Sequence, residues 1–482
     1  MNLAELVARH ATGRPDAIAV EDAGGEYTYR RLDRALAYVA HCLGQRGVVP
    51  GMLVAVGMRP SGTHLAVLLA LARLGAVSMP ITPGEAQGAR DAVARRFGPA
   101  FLVSRRKEHG VAGVPFLRVE SEWFQVPESF RPAPPAPGGN APWRVNLTSG
   151  TTGAAKGTAW SHAASLALLE HCQKFAPFPP GSRLLCNRGM DTAFMLRFCM
   201  SSLFSGGTIV FRGTPTLKDF VDVVRRYKVS HAVVEPVFLQ RLVAAVRTRE
   251  PCLPELALFV GGGIMSAVLL EAAIARLTPN VYDNHGASET GLTALGDPQL
   301  RRTRPDVTGR LVPWVEAQAV DESDRPLPEG ERGILRYRSP VFATEYYQDP
   351  QASAQRFRGG WFYPGDIGSV AGGLLALHSR ADEVINLGGL KVNPVSVEAV
   401  LAQHPSVSEA AVFATNPAHG PAQLAAAIVM RGKATEQELI EFCRARLGRQ
   451  APSAIIRVAK LPRNAAGKLL RRELPSLGSR VE

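Results

Sequence analysis

The sequence predicts an α/β fold: a large amino-terminal domain of mainly parallel sheets and helices, followed by a smaller α+β domain. Three observations predict it. Between His231 and Gly286 short apolar runs alternate with helical patterns, "HAVVEP", "VFLQRLVAAVRTR", "LALFVGGG", "SAVLLEAAIARL" and "NVYDNHG", the order of a largely parallel sheet. After about Ser379 the texture changes to shorter units that mix helix and strand. The chain also has 482 residues, 46% hydrophobic and 20% charged, enough for two or three domains with full cores.

The elements follow in order. The start, "MNLAELVARHATGRPD", carries charges where a signal peptide needs an apolar region. The longest apolar run, "LAVLLALA" from Leu65 to Ala72, is too short to span a bilayer and meets Arg73 at once. A cytoplasmic protein without a membrane span is expected. "RPAPPAPGGNAP", from Arg131 to Pro142, is closed to regular structure by its prolines and glycines and marks a linker or subdomain boundary. "WRVNL" then reads as a short strand entering the loop "TSGTTGAAKG", and Ser161 is placed to cap the helix "HAASLALLEHCQKF". In the smaller domain Thr435 and Glu438 form a capping box for "EQELIEFCRARL", which Gly448 terminates. We set the domains at 1–379 and 380–482, with "SRADE" as the joint.

Charge and cysteines narrow the function. A net charge of +13 suits polyanionic ligands: nucleotides, coenzyme A, an acidic carrier protein or nucleic acid. The basic residues are scattered and aromatics are few, which argues against a dedicated nucleic-acid binder. Six cysteines form no CxxC pair and no zinc spacing, so reduced, mostly buried thiols are expected.

Four loops carry chemistry. In the first, Gly150 and Gly153 let backbone N–H groups converge, Thr148, Ser149, Thr151 and Thr152 add hydroxyls, and Lys156 adds charge. Such a nest suits phosphate, although the Walker order is absent and a polar linker has the same composition. "NHGASETG" follows a strand: His285 can lie against a base, Ser288 can bond a phosphate, and Glu289 can hold a divalent cation or simply be solvated. In "WFYPGDIG", Asp366 follows a turn glycine, where one carboxylate can accept from both hydroxyls of a ribose or serve the turn itself. "LPRNAAGKLLRREL" presents Lys468 on a glycine-bearing loop, where a surface role is the plain alternative.

In this order the segments resemble the superfamily of acyl-adenylate-forming enzymes: acyl-CoA synthetases, peptide-synthetase adenylation domains and luciferases. The resemblance covers nearly the whole chain, from "YTYRRLDRALA" and "LARLGAVSMPI" through the loops above, "VGGGIMS", "GERGILRYRSP", "YYQDP" and "SRADEVINLGGLKVNPVSVEAVL" to "NAAGKLLR". It implies that a carboxylate attacks the α-phosphate of ATP, that pyrophosphate leaves, and that a thiol then takes the acyl group from acyl-AMP. By resemblance the first loop holds the β- and γ-phosphates, with Lys156 beside them. Thr148, Thr151 and Ser288 bond phosphates, and Glu289 binds magnesium. Gly261, Gly262 and Gly263 let the nucleotide and acyl group approach the backbone. Asn284, His285 and Gly286 face the nucleotide, while Asp366 and Arg380 hold the ribose. Lys468 bridges the substrate carboxylate and the nucleotide, carried by a small domain that rotates about Asp382 between the two steps.

The sequence departs from the common pattern in four places. Ala155 stands for a proline, His285 for a tyrosine, Pro364 for a threonine and Ser379 for a glycine, none of which removes a charged catalytic group. The segment "CNRGMDTAFMLRF" borders the acyl pocket in the family. There Asp191 could bind a substrate amine or cap a helix beside Thr192, and Arg197 could meet a second carboxylate. The acceptor is coenzyme A, or the phosphopantetheine of a carrier protein that a free-standing adenylation enzyme would load. A catalytically silent binding module conflicts with the charged set being present, and a P-loop NTPase conflicts with the missing Walker order.

Overall fold

A computed structural model describes the chain except residues 150–154, 176–177, 214–215, 218, 247, 249, 382–384, 388–389, 416–422, 464–468 and 479–482; for 149, 386, 390, 391 and 478 it describes the backbone alone. The expectations at Gly150, Thr151, Thr152, Gly153, Asp382 and Lys468, and at the side chain of Ser149, therefore lie outside the described residues. The chain divides into two units, Met1–Pro364 with Ser369–Ala376, and Gly365–Gly368 with Leu377–Glu482.

The larger unit holds two sheets. In the first, six-stranded sheet the spatial order is Phe116–Arg118, Phe101–Ser104, Leu53–Val56, Val77–Pro80, β1 (Pro142–Ser149) and β2 (Ala155–Ser161). Neighbours run parallel until β1 and β2, which pair antiparallel. The apolar run of Leu65–Ala72 lies in the helix Gly62–Leu74, capped by Ser61 and buried along nearly its whole length, so it is a core helix. The proline-rich stretch belongs to this same unit. Its backbone is pinned to the end of that helix, with Arg73 Nη2 donating to the Ala133 carbonyl at 2.6 Å and Ala136 N to the Arg73 carbonyl at 2.8 Å.

Helices α1 (His162–Phe175) and α2 (Ala193–Ser205) lead into the second sheet. There Ile18–Asp22, Thr208–Val210, Arg183–Leu185, β3 (His231–Val234), β4 (Ala257–Gly261) and β5 (Val281–His285) lie side by side in parallel. All four residues of β3 are buried, as expected of a strand covered on both faces. The sheet continues antiparallel beyond β5 through Ala294–Gly296 and Gly309–Leu311, and it also holds β6 (Gly333–Arg338). The carboxyl ends of β4 and β5 are thereby brought level, with Gly261 opposite Asn284.

The smaller unit is built on a three-stranded sheet of Val407–Thr415, Gln423–Met430 and Ala454–Arg457. Val397, Leu401, Val412, Ile428, Leu439 and Cys443 form its core. The Thr435–Glu438 capping box is present at the head of Glu436–Leu447, and Gly448 ends that helix at φ 54°. Among the described residues no helix is long and apolar enough to cross a membrane.

Candidate active site

The antiparallel register of β1 and β2 sets Thr148 opposite Lys156. Lys156 is part-buried, and its ammonium lies 5.1 Å from the ring centroid of Tyr346, a cation–π distance. Tyr346 turns its hydroxyl the other way and donates to Glu289 Oε1 at 2.8 Å. Glu289 is 7% exposed, and its own carbonyl accepts from Ala343 N at 2.9 Å. One tyrosine thus joins a cation from the first loop to a carboxylate from the second. In the sequence Tyr346 is one of two adjacent tyrosines in "YYQDP", and nothing in that pattern marks which of them faces inward.

The second loop is fixed from both sides. Trp160 Nε1 and Thr158 Oγ1, both on β2, donate to the Ser288 carbonyl at 3.0 and 3.3 Å. Ala287 N donates to Thr290 Oγ1 at 2.9 Å and Gly291 N to the Ala287 carbonyl at 2.8 Å, closing a tight turn. At Gly286 a Cβ would collide with the Gly291 carbonyl oxygen, so no larger residue fits that turn. His285 Nε2 lies 3.3 Å from the hydroxyl of the buried Tyr337 on β6, with the two rings edge to face. Beneath it, burial pushes the Asp283 carboxyl up to about 7, although Arg301 Nε lies 3.5 Å away and opposes the shift.

The end of β4 is open: Gly262 and Gly263 are exposed, and Gly262 has φ +81°. A Cβ on Gly261 would come within 2.6 Å of the Phe194 ring and 2.8 Å of the Asn284 carbonyl oxygen. Helix α2 therefore lies against the strand ends. One turn beyond Phe194, Arg197 Nη2 donates to Asn284 Oδ1 at 2.7 Å, and its guanidinium lies 4.4 Å from the Phe198 ring centroid.

Asp191 does not cap this helix, since Thr192 does, accepting from Met195 N. The Asp191 carboxylate instead accepts from Thr82 Oγ1 at 2.7 Å and acts electrostatically on Arg144. Arg144 is fully buried, donating to Asn146 Oδ1 and the Met190 carbonyl, and burial pulls its guanidinium down to about 10 against the Asp191 charge.

In the smaller unit Asp366 and Arg380 are brought together, Arg380 Nη1 donating to Asp366 Oδ1 at 3.1 Å, with Asp366 buried. Ala381 N donates to the Gly365 carbonyl at 2.8 Å and holds the two segments in that pairing. Among the described residues no three His, Cys, Asp or Glu gather into a metal cage.

In a fold of parallel strands, glycine-rich and carboxylate-bearing loops at the carboxyl ends are where a ligand binds, and this glycine-and-carboxylate set suits a nucleotide. The family model described as AMP-binding enzyme matches residues 7–347, and that described as AMP-binding enzyme C-terminal domain matches 396–468. The 2-succinylbenzoate–CoA ligase of Geobacillus kaustophilus is 31% identical over 97% of this chain and 96% of its own length. A fatty acid–[acyl-carrier-protein] ligase of Streptomyces coeruleorubidus is 27% identical over 98% and 95%. The o-succinylbenzoate CoA synthetase of Bacillus subtilis, solved with ATP and magnesium ion, superposes at a TM-score of 0.88, covering 98% of this chain and 99% of that one. At 22% identity this is a likeness of fold. The chain belongs to the AMP-binding enzyme family, and the enzyme is an acid–thiol ligase of the AMP-forming kind.

Proposed function

We propose that the enzyme activates a free carboxylic acid with ATP and passes the acyl group to coenzyme A in the cytoplasm. The observation that carries this reading is the meeting of Lys156 and Glu289 on Tyr346, with Thr148 paired across from Lys156. The six free cysteines agree with a reducing compartment.

In the first half-reaction a carboxylate oxygen forms a bond to the α-phosphorus as the bond to the pyrophosphate oxygen breaks. In the second, the thiol sulfur attacks the acyl carbon, AMP leaves, and the thiol proton is lost to solvent. Both first reactants are anions, so the protein's task is electrostatic. Lys156, Thr148, Ser149, Thr151, Thr152 and the Gly150 and Gly153 backbone would hold the departing phosphates, together with Ser288. Gly262, Gly263, Asn284, His285 and Gly286 would bed the nucleotide, and Asp366 with Arg380 would hold its ribose. A magnesium ion, held by Glu289 together with the phosphates and water, would neutralise charge on the leaving group. One carboxylate suits an ion bound mainly through its substrate.

Lys468 would bridge the acid and the nucleotide. A charge pair at 4 Å is worth about 1 kcal/mol in bulk water and about 4 kcal/mol at an effective dielectric near 20, so the lysine serves best where water is excluded. Phosphopantetheine on a carrier protein ends in the same thiol arm as coenzyme A. The carrier-loading relative makes it the second reading.

The test is pyrophosphate release from ATP and magnesium across fatty, aryl, dicarboxylic and amino acids, with Lys468→Ala as control. Active acids are then offered coenzyme A and, separately, a carrier protein. Acylated coenzyme A is the expected product. Acylation of the carrier alone would move the assignment to the second reading, and the absence of release with every acid would sink both.

A further inference from the structure

We infer that the acid this enzyme activates carries a second carboxylate, bound by Arg197. The inference rests on the acid-activation reading above and names its substrate class. Four observations support it.

Arg197 stands where the far end of an acyl group would lie. It is one turn beyond Phe194, the residue that covers Gly261, and it touches Asn284 at the end of β5. A nucleotide bedded on Gly262, Gly263 and the 284–288 loop would direct its acyl substituent against this face of α2.

Among the described residues its charge is unmatched. Arg183, Arg188, Arg212, Arg463 and Arg471 are part-buried arginines too, and each pairs with a carboxylate: Glu21, Glu235, Glu21, Glu409 and Glu398 respectively. Among the described residues no carboxylate pairs with Arg197, whose polar contacts are Asn284 Oδ1 and Cys172 Sγ, both neutral partners. A part-buried guanidinium that lacks a counter-charge gains most from a ligand that brings one.

It is also oriented in advance. The Phe198 ring at 4.4 Å supports its plane, Asn284 fixes one Nη at 2.7 Å, and Cys172 Sγ lies 3.6 Å from the other. A guanidinium fork held this way retains N–H groups for a carboxylate with little further ordering.

The competing class, an acid bearing an amine, would use Asp191. That carboxylate is already engaged by the Thr82 hydroxyl and faces the charge of the fully buried Arg144. It is a committed counter-ion, whereas Arg197 is not.

The experiment measures kcat/KM for acid-dependent pyrophosphate release with aliphatic and aryl acids of matched length. Each carries at its far end a carboxylate, a carboxamide or an amine. For the wild type the carboxylate should lead the carboxamide by about 10- to 100-fold, the range of a charge-assisted hydrogen-bonded contact. Arg197→Gln should collapse that ratio toward one, and Arg197→Lys should restore part of it, since a lysine keeps the charge but not the fork. Preference of the wild type for the carboxamide or the amine would overturn the inference. So would an Arg197→Gln variant that lowers all three by the same factor, which would make Arg197 only a support for Asn284. No release with any acid would instead overturn the activation reading on which the inference stands.

Discussion

Tyr346 shows how one side chain can bind two loops distant in sequence. Its ring meets Lys156 and its hydroxyl meets a nearly buried Glu289, so removing only the oxygen takes a hydrogen-bond donor away from that carboxylate. Tyr346→Phe should cost about 1–3 kcal/mol of stability and lower the rate of pyrophosphate release about tenfold, read by urea denaturation and steady-state assay. Buried titratable groups set the response to acid. His64 is fully buried beside Arg144 and, chiefly through burial, is pulled down to about 3; His162, whose Nδ1 accepts from Leu3 N, is pulled down to about 4 for the same main reason. Both imidazoles resist protonation when folded, so the stability they confer is fully present above pH 6.5 and is lost progressively as pH falls from 6.5 toward about 4 and 3. Asp283, pushed up to about 7, has the opposite slope: the folded state holds its proton more tightly, so its contribution falls as pH rises from about 4 to 7. Two groups outweigh one, and melting temperature should drop between pH 7 and 5. His64→Gln should flatten that drop and Asp283→Asn should steepen it; equal slopes in all three proteins would refute the assignment.

At the scale of elements, the loops after β4 and β5 are two kinds of glycine site. Gly286 has no room because its neighbour is backbone, whereas a Cβ on Gly263 would meet only the Pro236 ring, at 3.4 Å. Gly286→Ala should therefore lower the melting temperature and abolish activation together. Gly263→Ala should leave melting within a degree or two and raise KM for ATP or acid, because what it would crowd is the ligand. Much of this level was legible beforehand. The Ser161 cap, which accepts from Ala164 N, the Thr435–Glu438 box and the alternation from His231 to Gly286 are local or periodic signals, and each is found. What escaped reading spans long separations. The Thr82 contact that engages Asp191 crosses 109 positions, and the Trp160 bond that pins Ser288 crosses 128. Neither leaves a trace in composition or spacing. The helix cap shows the limit at short range as well, since Asp191 and Thr192 are both good capping residues and only the backbone path decides between them.

For the whole molecule, sequence pattern conveyed the succession of an α/β unit and a smaller α+β unit, because texture and loop order change along the chain. Exact borders were less legible. Gly365–Gly368 falls with the later unit and Ser369–Ala376 with the earlier one, an exchange of short segments that no linear reading of composition would show. The distribution of the thiols has a practical result. Five of the six cysteines are buried and only Cys252 is part-exposed; Cys443, whose thiol burial pushes up to about 11, is the single cysteine of the smaller unit. A maleimide added to native protein should therefore add one mass increment quickly, at Cys252. If the smaller unit opens by itself, a second increment at Cys443 should precede those at Cys42, Cys172, Cys186 and Cys199; simultaneous arrival of all five would mean that the units melt as one. The protein thus carries an intrinsic clock for each of its halves, readable by intact-mass spectrometry without adding a label site.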